Sequence, residues 1–399
     1  MPLELILFLL VGILAGIITG LTPGIHINLI ASIFLTSSVI LSLPTIPLIV
    51  FIIAMAITHT FLDFIPSIYL GAPDEDTGLV PLPHHQFLIN GHGHKALILT
   101  LIGSTIAIIS LVAIIPIYYL FLEATYPFIQ KMLGFFLILI MLFLLYDEKE
   151  AELIILSTII FFLSGFLGVA TLNSNLEEPL LPLLTGLFAS SSLITSIKRK
   201  TAAPKQSLEK IKIPKKELIK PTVSTIIVSP ICSLFPGLGA SQAAVLGSRI
   251  SGKISKEQFL ILLGSINTLV MATSFITFAL ISRSRTGAAN FISQITNFNE
   301  ISLVTIILTI AITSVIAIPL TIQLSKLFAK NIHKISYTKT SLAILAFLTI
   351  IILKFSGPFG LAVFAISTVL GLSCIEFGIK RSFLMGCLLV PTIIYYLPF

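Results

Sequence analysis

A chain of 399 residues that is 56% hydrophobic and only 10% charged, with a mean hydropathy of +1.08, is not a soluble domain, where about 25% of residues carry charge. Its formal charge of +7 has one source: nine of the 24 Lys and Arg, against two of the 17 acidic residues, fall within Lys198 to Lys220, leaving fifteen of each sign elsewhere. One basic stretch is the mark of a cytoplasmic loop under the positive-inside rule and not of a distributed basic surface, so nucleic acid is excluded as a partner.

The chain opens with Met1-Pro2-Leu3-Glu4, which lacks the basic n-region of a signal peptide and runs into an apolar stretch, read here as a retained membrane segment. Apolar segments are predicted near 3–21, 24–43, 46–70, 96–122, 127–145, 152–170 and 180–197. After the basic linker the count repeats, near 221–235, 237–250, 257–281, 300–324, 340–355, 358–375 and 382–398, and Pro-Gly opens the second segment of each set. A spanning helix needs about 20 apolar residues, so 237–250 is too short to cross, whereas 24–43 could cross or fold back. The expected architecture is an all-α polytopic membrane protein of two inverted-topology repeats, 1–197 and 221–399, joined by a basic cytoplasmic linker, 198–220, with broken or re-entrant helices at the Pro-Gly motifs. Charge agrees with inversion. Lys326, Lys330, Lys334 and Lys339 form a second basic cluster after the fourth segment of the second half, while the matching stretch from Glu123 to Lys131 has none. An odd number of spans in each half would itself invert the second.

The two breaks carry the functional reading. Thr22-Pro23-Gly24-Ile25-His26-Ile27-Asn28 interrupts one apolar run, and Phe235-Pro236-Gly237-Leu238-Gly239-Ala240-Ser241-Gln242 repeats the device in the other half. In hydrocarbon a proline removes a donor and frees a carbonyl, so such a break survives only where protein or a water-filled cavity satisfies it. Paired breaks point to the substrate site of a secondary transporter, with half-helix N-termini and the side chains of Thr22, His26, Asn28, Ser241 and Gln242 facing a small anionic substrate. Hinges with capping side chains are the bland alternative. Ionisable residues within apolar segments are costly and read as functional. His59 and Asp63 lie four apart on one helical face, within reach of an ion pair or a proton relay, so they are assigned to ion coupling; a structural lock between helices is the alternative. The second half aligns Ser265-Ile266-Asn267-Thr268 with Ile57-Thr58-His59-Thr60, so Asn267 replaces His59 and Met271 replaces Asp63, and Asn267 and Thr268 join the expected substrate site.

Other chemistry finds little support. The loop from Gly71 to Lys95 holds Asp74-Glu75-Asp76, His84, His85, His92 and His94, but their spacing fits no zinc signature, and it is read as a solvated loop without metal. Cys232, Cys374 and Cys387 sit in or beside apolar segments and are read as packing residues. There is no His-Glu-x-x-His, no Gly-x-Ser-x-Gly and no Walker lysine motif, so neither an enzyme nor a cofactor is expected.

A collinear set of short motifs then carries a resemblance: Leu21-Thr-Pro-Gly24, Tyr69-Leu-Gly-Ala-Pro73 through Asn90-Gly-His-Gly-His-Lys-Ala96 to Leu101-Ile-Gly-Ser104, Leu184-Thr-Gly-Leu-Phe-Ala189, Phe235-Pro-Gly-Leu-Gly-Ala240, and Leu370-Gly-Leu-Ser-Cys-Ile-Glu376 with Arg381-Ser382. In that order the chain resembles the TctA family, the large membrane subunit of tripartite tricarboxylate transporters, in a shorter, archaeal-type variant. The resemblance implies a permease for a di- or tricarboxylate in the cell membrane, partnered by an extracytoplasmic binding protein and a small membrane subunit. Two departures stand out. The family's Pro-Glu-x-x-Asn-Asn run is replaced here by Gly264-Ser-Ile-Asn-Thr268, and the loop reads Gly71-Ala-Pro-Asp-Glu75 without the second Gly. A polyprenyl or lipid-phosphate translocase, which also pairs intramembrane Pro-Gly breaks, is the alternative function, and an intramembrane enzyme a third.

Overall fold

The computed structural model describes residues 2–23, 27, 30, 43–71, 86–146, 150–198, 203–209, 211–235, 238–295 and 302–397. Their regular structure is all helical, and among the described residues nine helices are long and apolar enough to cross a membrane. In chain order these elements are α1 (Pro2–Leu21), α2 (Thr45–Leu62), a π-helix (Pro66–Leu70), α3 (Gly93–Tyr146), α4 (Ala151–Leu172), α5 (Leu180–Leu184), a second π-helix (Thr185–Ser190) and α6 (Ser191–Lys198). The second half contributes α7 (Lys215–Leu234), α8 (Ala240–Ile250), α9 (Lys256–Ile281), α10 (Gly287–Ile295), α11 (Leu303–Asn331), α12 (Tyr337–Glu376), a 3-10 turn (Arg381–Met385) and α13 (Gly386–Tyr396).

Two helices form the centre because they are apolar all round. Every residue of α2 from Pro47 to Leu62 is buried, as is every residue of α9 from Leu260 to Phe278. The start of α9 is fixed by a reciprocal cap, in which Ser255 Oγ accepts from Gln258 N at 3.1 Å and Gln258 Oε1 accepts from Ser255 N at 3.0 Å. Peripheral helices instead present large apolar side chains outward, among them Ile18, Phe166, Val315 and Val369, as helices facing lipid do.

Glycine lets the central helices be approached closely. Gly12, Gly16 and Gly20 form a stripe on α1 that lies against α2; a Cβ on Gly20 would sit 2.8 Å from that of Leu62. At the crossing of α3 with α9, a Cβ on Gly103 would overlap the Ile261 carbonyl and one on Gly264 the Thr100 carbonyl. Ser104 Oγ donates to the Gly264 carbonyl there at 3.2 Å. The packing has a regular plan. α1 lies on α2 and α7 on α9, α3 lies on α9 and α11 on α2, and α4 lies on α13 while α12 lies on the α5–α6 stretch.

Several segments depart from the expected spans, each for a local reason. The run 46–70 is divided at Asp63, because Pro66 offers no N–H to the Leu62 carbonyl, and it continues as the π-helix. The runs 96–122 and 127–145 are one helix, α3, which carries Pro116 and Pro127 inside it. A proline costs one rung of the ladder, which a long membrane helix tolerates. The runs 340–355 and 358–375 are fused in α12, but Gly357 has φ 64° and ψ −168°, outside helical geometry, and Pro358 follows. A straight helix of 40 residues would hold its ends about 60 Å apart. Glu376 nevertheless pairs with Lys198 at the end of α6, while Tyr337 lies with Ser196 beside Gly71, so the chain reverses at Gly357. The basic linker is not a free loop. α6 extends to Lys198 and α7 begins at Lys215, and between them Gln206 caps α3, accepting from Gly93 N at 2.7 Å and donating to the Leu88 carbonyl at 3.1 Å. Ser207 N donates to the Gly91 carbonyl at 2.7 Å.

Both apolar runs end at their Pro-Gly motifs: α1 stops at Leu21 and α7 at Leu234. α8 has 11 residues, a length of about 16 Å, too short to span a bilayer. Gly24, His26, Asn28, Pro236 and Gly237 lie outside the described residues, as do Asp74, Glu75, Asp76, His84 and His85.

Candidate functional site

The polar side chains of α2 point inward, because the helix has no outer face. His59 is 3% exposed and Asp63 2%. His59 Nδ1 lies 3.1 Å from Thr19 Oγ1, and Thr19 itself donates to the Gly16 carbonyl at 3.2 Å. This contact needs the glycine stripe, since a Cβ on Gly16 would come within 2.6 Å of the Met55 carbonyl and drive α1 away. Asp63 is the C-cap of α2, its N–H donating to the His59 carbonyl at 2.9 Å.

Asp63 Oδ2 accepts from Asn267 Nδ2 at 2.7 Å. Asn267 is the residue that the alignment of the halves matches to His59, and it lies in the middle of α9. The expected ion-coupling aspartate and one expected substrate-site residue are thus joined directly, across 204 residues of chain.

The second break lies in the same buried cluster. Leu238 and Ala240 belong to the same buried core as Leu62 and Ile266, and Gly247 on α8 faces Ile266 and Leu262 of α9. Gln242 turns back to cap the start of α8, its Oε1 accepting from Gly239 N at 2.8 Å. The other end of that amide, Nε2, is fully buried and has no partner among the described residues, and Thr268 Oγ1 is in the same condition. A buried donor left unmade costs about 1–3 kcal/mol. Ser241 is buried beside it. At the first break Thr22 N donates to the Ile18 carbonyl at 3.1 Å and Pro23 is buried. A Cβ on Gly20, just before it, would lie 3.2 Å from the His59 carbonyl.

Other buried polar groups had no signal in the sequence reading. Thr19 is one. Tyr69, Ser325 and His94 are another set: Ser325 Oγ lies 2.7 Å from His94 Nδ1 and 3.1 Å from the Tyr69 hydroxyl. His94, expected in a solvated loop, is a buried residue of the first turn of α3, because the helix begins at Gly93. Among the described residues no three His, Cys, Asp or Glu converge as metal ligands would. Arg381, noted in the sequence only as part of a motif, is buried and secures the second π-helix. Its Nη2 donates to the carbonyls of Phe188 at 2.6 Å and Leu187 at 3.0 Å, its Nη1 to Ser192 Oγ at 2.6 Å, and its guanidinium stacks 5.2 Å from the Phe188 ring. Cys232, Cys374 and Cys387 are buried, as packing residues should be.

A multi-pass helical membrane protein with a carboxylate and an amide joined at its buried centre, beside two broken apolar runs, has the frame of a membrane transporter. The chain belongs to the tripartite tricarboxylate transporter TctA family, whose model matches residues 6–386. That family is a transporter family, and it works with a binding protein and a small membrane subunit in tripartite systems. The chain is also 30% identical to the uncharacterized protein MJ1079 of Methanocaldococcus jannaschii, over 98% of this chain and 99% of that one. No solved structure matches it.

Proposed function

We propose that this protein is the permease subunit of a secondary transporter in the cell membrane, which carries a di- or tricarboxylate and couples it to H⁺ or Na⁺ through Asp63 and His59. One observation carries the reading: Asp63, buried at the end of α2, is hydrogen-bonded to Asn267 of the other half. A carboxylate so placed binds a cation from one side and releases it to the other when the halves rearrange. An anion entering a cell is opposed by about 2.3 kcal/mol per charge per 100 mV, so accumulation requires co-transported cations. The repeats 1–197 and 221–399 are inverted in this reading, with 198–220 cytoplasmic, and the recurring packing of α1–α2 and α7–α9 supports it. Thr22, Pro23, Gly24, His26 and Asn28 of one break, with Pro236, Gly237, Gly239, Ser241 and Gln242 of the other and Asn267 and Thr268 of α9, bind the substrate anion. The amide of Gln242, whose Nε2 has no partner among the described residues, supports that assignment. An extracytoplasmic binding protein delivers the substrate, and a small membrane subunit completes the complex.

Uptake into proteoliposomes tests this with labelled citrate, succinate and a polyprenyl phosphate. Carboxylate accumulation driven by a pH or Na⁺ gradient is the expected result, with Asp63→Asn retaining exchange but losing accumulation, and His59→Asn, which copies the second half, milder. Movement of the polyprenyl phosphate alone would assign the chain to lipid-phosphate translocation. If Asp63→Asn still concentrates carboxylate, the aspartate is only a lock between helices.

A further inference from the structure

Beyond Asp63, buried polar groups continue in one direction. His59, Asp63 and Ser67 follow at intervals of four along α2 and the π-helix, a stripe on one face of the rod. Ser67 Oγ is buried and has no partner among the described residues, although one turn, about 6 Å, separates it along the axis from Asp63. Two residues further, the Tyr69 hydroxyl meets Ser325 Oγ of α11, and Ser325 Oγ meets His94 Nδ1 of α3. His94 is flanked by His92 and Lys95, which line a polar cavity of about 260 Å³ together with Ser207, Glu209 and Lys212 of the linker. The groups therefore run from the centre of the bundle to its linker end.

Ser, Tyr and His side chains each both donate and accept a hydrogen bond, which is what passing a proton requires. An apolar core has no packing reason to place three of them in sequence, each touching the next from a different element. We propose that Ser67, Tyr69, Ser325 and His94 form a proton path between Asp63 and the linker face of the protein. The proposal rests on the reading of Asp63 as the coupling carboxylate and names H⁺, not Na⁺, as its ion. The steps balance. The protonated Asp63 carboxyl gives its proton to Ser67 Oγ, which makes no hydrogen bond to Asp63 or Tyr69 in this structure and so must move between them to release its own onward; the hydroxyls of Tyr69 and Ser325 repeat the exchange. His94 accepts at Nδ1 and releases from Nε2 toward the cavity lined by His92 and Lys95, so one proton leaves Asp63 and each relay group keeps its proton count.

The charges around the path suit release at this end. His94 faces Lys326 of α11 and Tyr69 of the π-helix. Lys95, next to it on α3, is paired with Glu257 of α9 at 2.5 Å, and Glu209 and Lys212 of the linker lie across the cavity. His94 thus stands among the charged groups of the linker end.

The test is infrared detection of the Asp63 carboxyl, identified as the band that Asp63→Asn abolishes, in protein reconstituted in vesicles and subjected to a pH jump on the linker side. Ser325→Ala, Tyr69→Phe and His94→Phe should each slow the response of that band about tenfold or more. The same variants should keep citrate exchange near the wild-type rate while losing pH-driven accumulation. His94→Phe keeps the ring volume and Tyr69→Phe the ring itself, so packing is spared; a role in packing alone would impair exchange and accumulation alike. A band that follows pH equally fast in all three variants overturns the path while leaving Asp63 as the coupling group. A carboxyl that does not respond to pH overturns it too, and Asp63→Asn that still accumulates citrate overturns the coupling itself.

Discussion

At the scale of single residues, the informative groups are those whose polarity is left unfinished. Gln242 spends its oxygen on the cap of α8 and keeps a buried N–H₂ without a partner among the described residues. If that group binds the substrate anion, Gln242→Leu, which keeps the size and loses the amide, removes a hydrogen bond to a charged group worth about 1.5–3 kcal/mol. The expected result is a KM for carboxylate raised about ten- to a hundredfold, with the amount of folded protein in the membrane unchanged. Uptake kinetics against monodisperse yield would check it, and an unaltered KM would move the anion elsewhere. How much of this was legible varies by residue. His59 and Asp63 are visible from spacing alone, because ionisable groups in an apolar run announce themselves, and Asn267 is visible once the halves are aligned. Thr19 and Ser325 are not. A hydroxyl in a membrane helix is common and cheap, and nothing local says that its partner lies 40 residues away for Thr19 or 231 and 256 away for Ser325.

At the scale of elements, what decides the fold is where helices touch without side chains between them. Gly103 and Gly264 put the backbones of α3 and α9 in direct contact. Gly264→Ala should therefore destabilise the protein by about 1–3 kcal/mol or more through overpacking, seen as a lowered unfolding temperature in detergent. Gly252→Ala provides a contrast, since nothing lies within 4 Å of its Cβ position; its φ of +71° leaves only a backbone penalty of about 1 kcal/mol. A smaller loss at Gly264 than at Gly252 would show that the crossing is looser than its geometry. Apolar periodicity found these helices but not their ends. It separated α3 into two at Pro127, because a proline reads as a break until neighbouring helices are known to support it. The π-helices at Pro66–Leu70 and Thr185–Ser190 were beyond it altogether, since one residue of slack within a turn leaves no period to detect. In the second of these the register is secured by Arg381, almost 200 residues away.

For the whole molecule, the linker and the central hydrogen bond decide how the two halves are held. Composition marks 198–220 as a basic loop, yet Gln206 and Ser207 stitch it onto the end of α3. Gln206→Ala removes a helix cap worth about 1 kcal/mol and should expose the chain, so that trypsin cuts after Lys205 several times faster than in the wild type. Equal cleavage rates, followed by mass spectrometry of the fragments, would mean that the stitch holds without its glutamine. The bond between Asp63 and Asn267 has a further consequence, which concerns time. Translation at about 5–20 residues per second makes the aspartate some 10–40 s before the asparagine 204 residues on. Throughout that interval the nascent first half has entered the bilayer with a carboxyl group whose amide partner does not yet exist. Its insertion machinery, or another part of the first half, must shelter that group until α9 arrives.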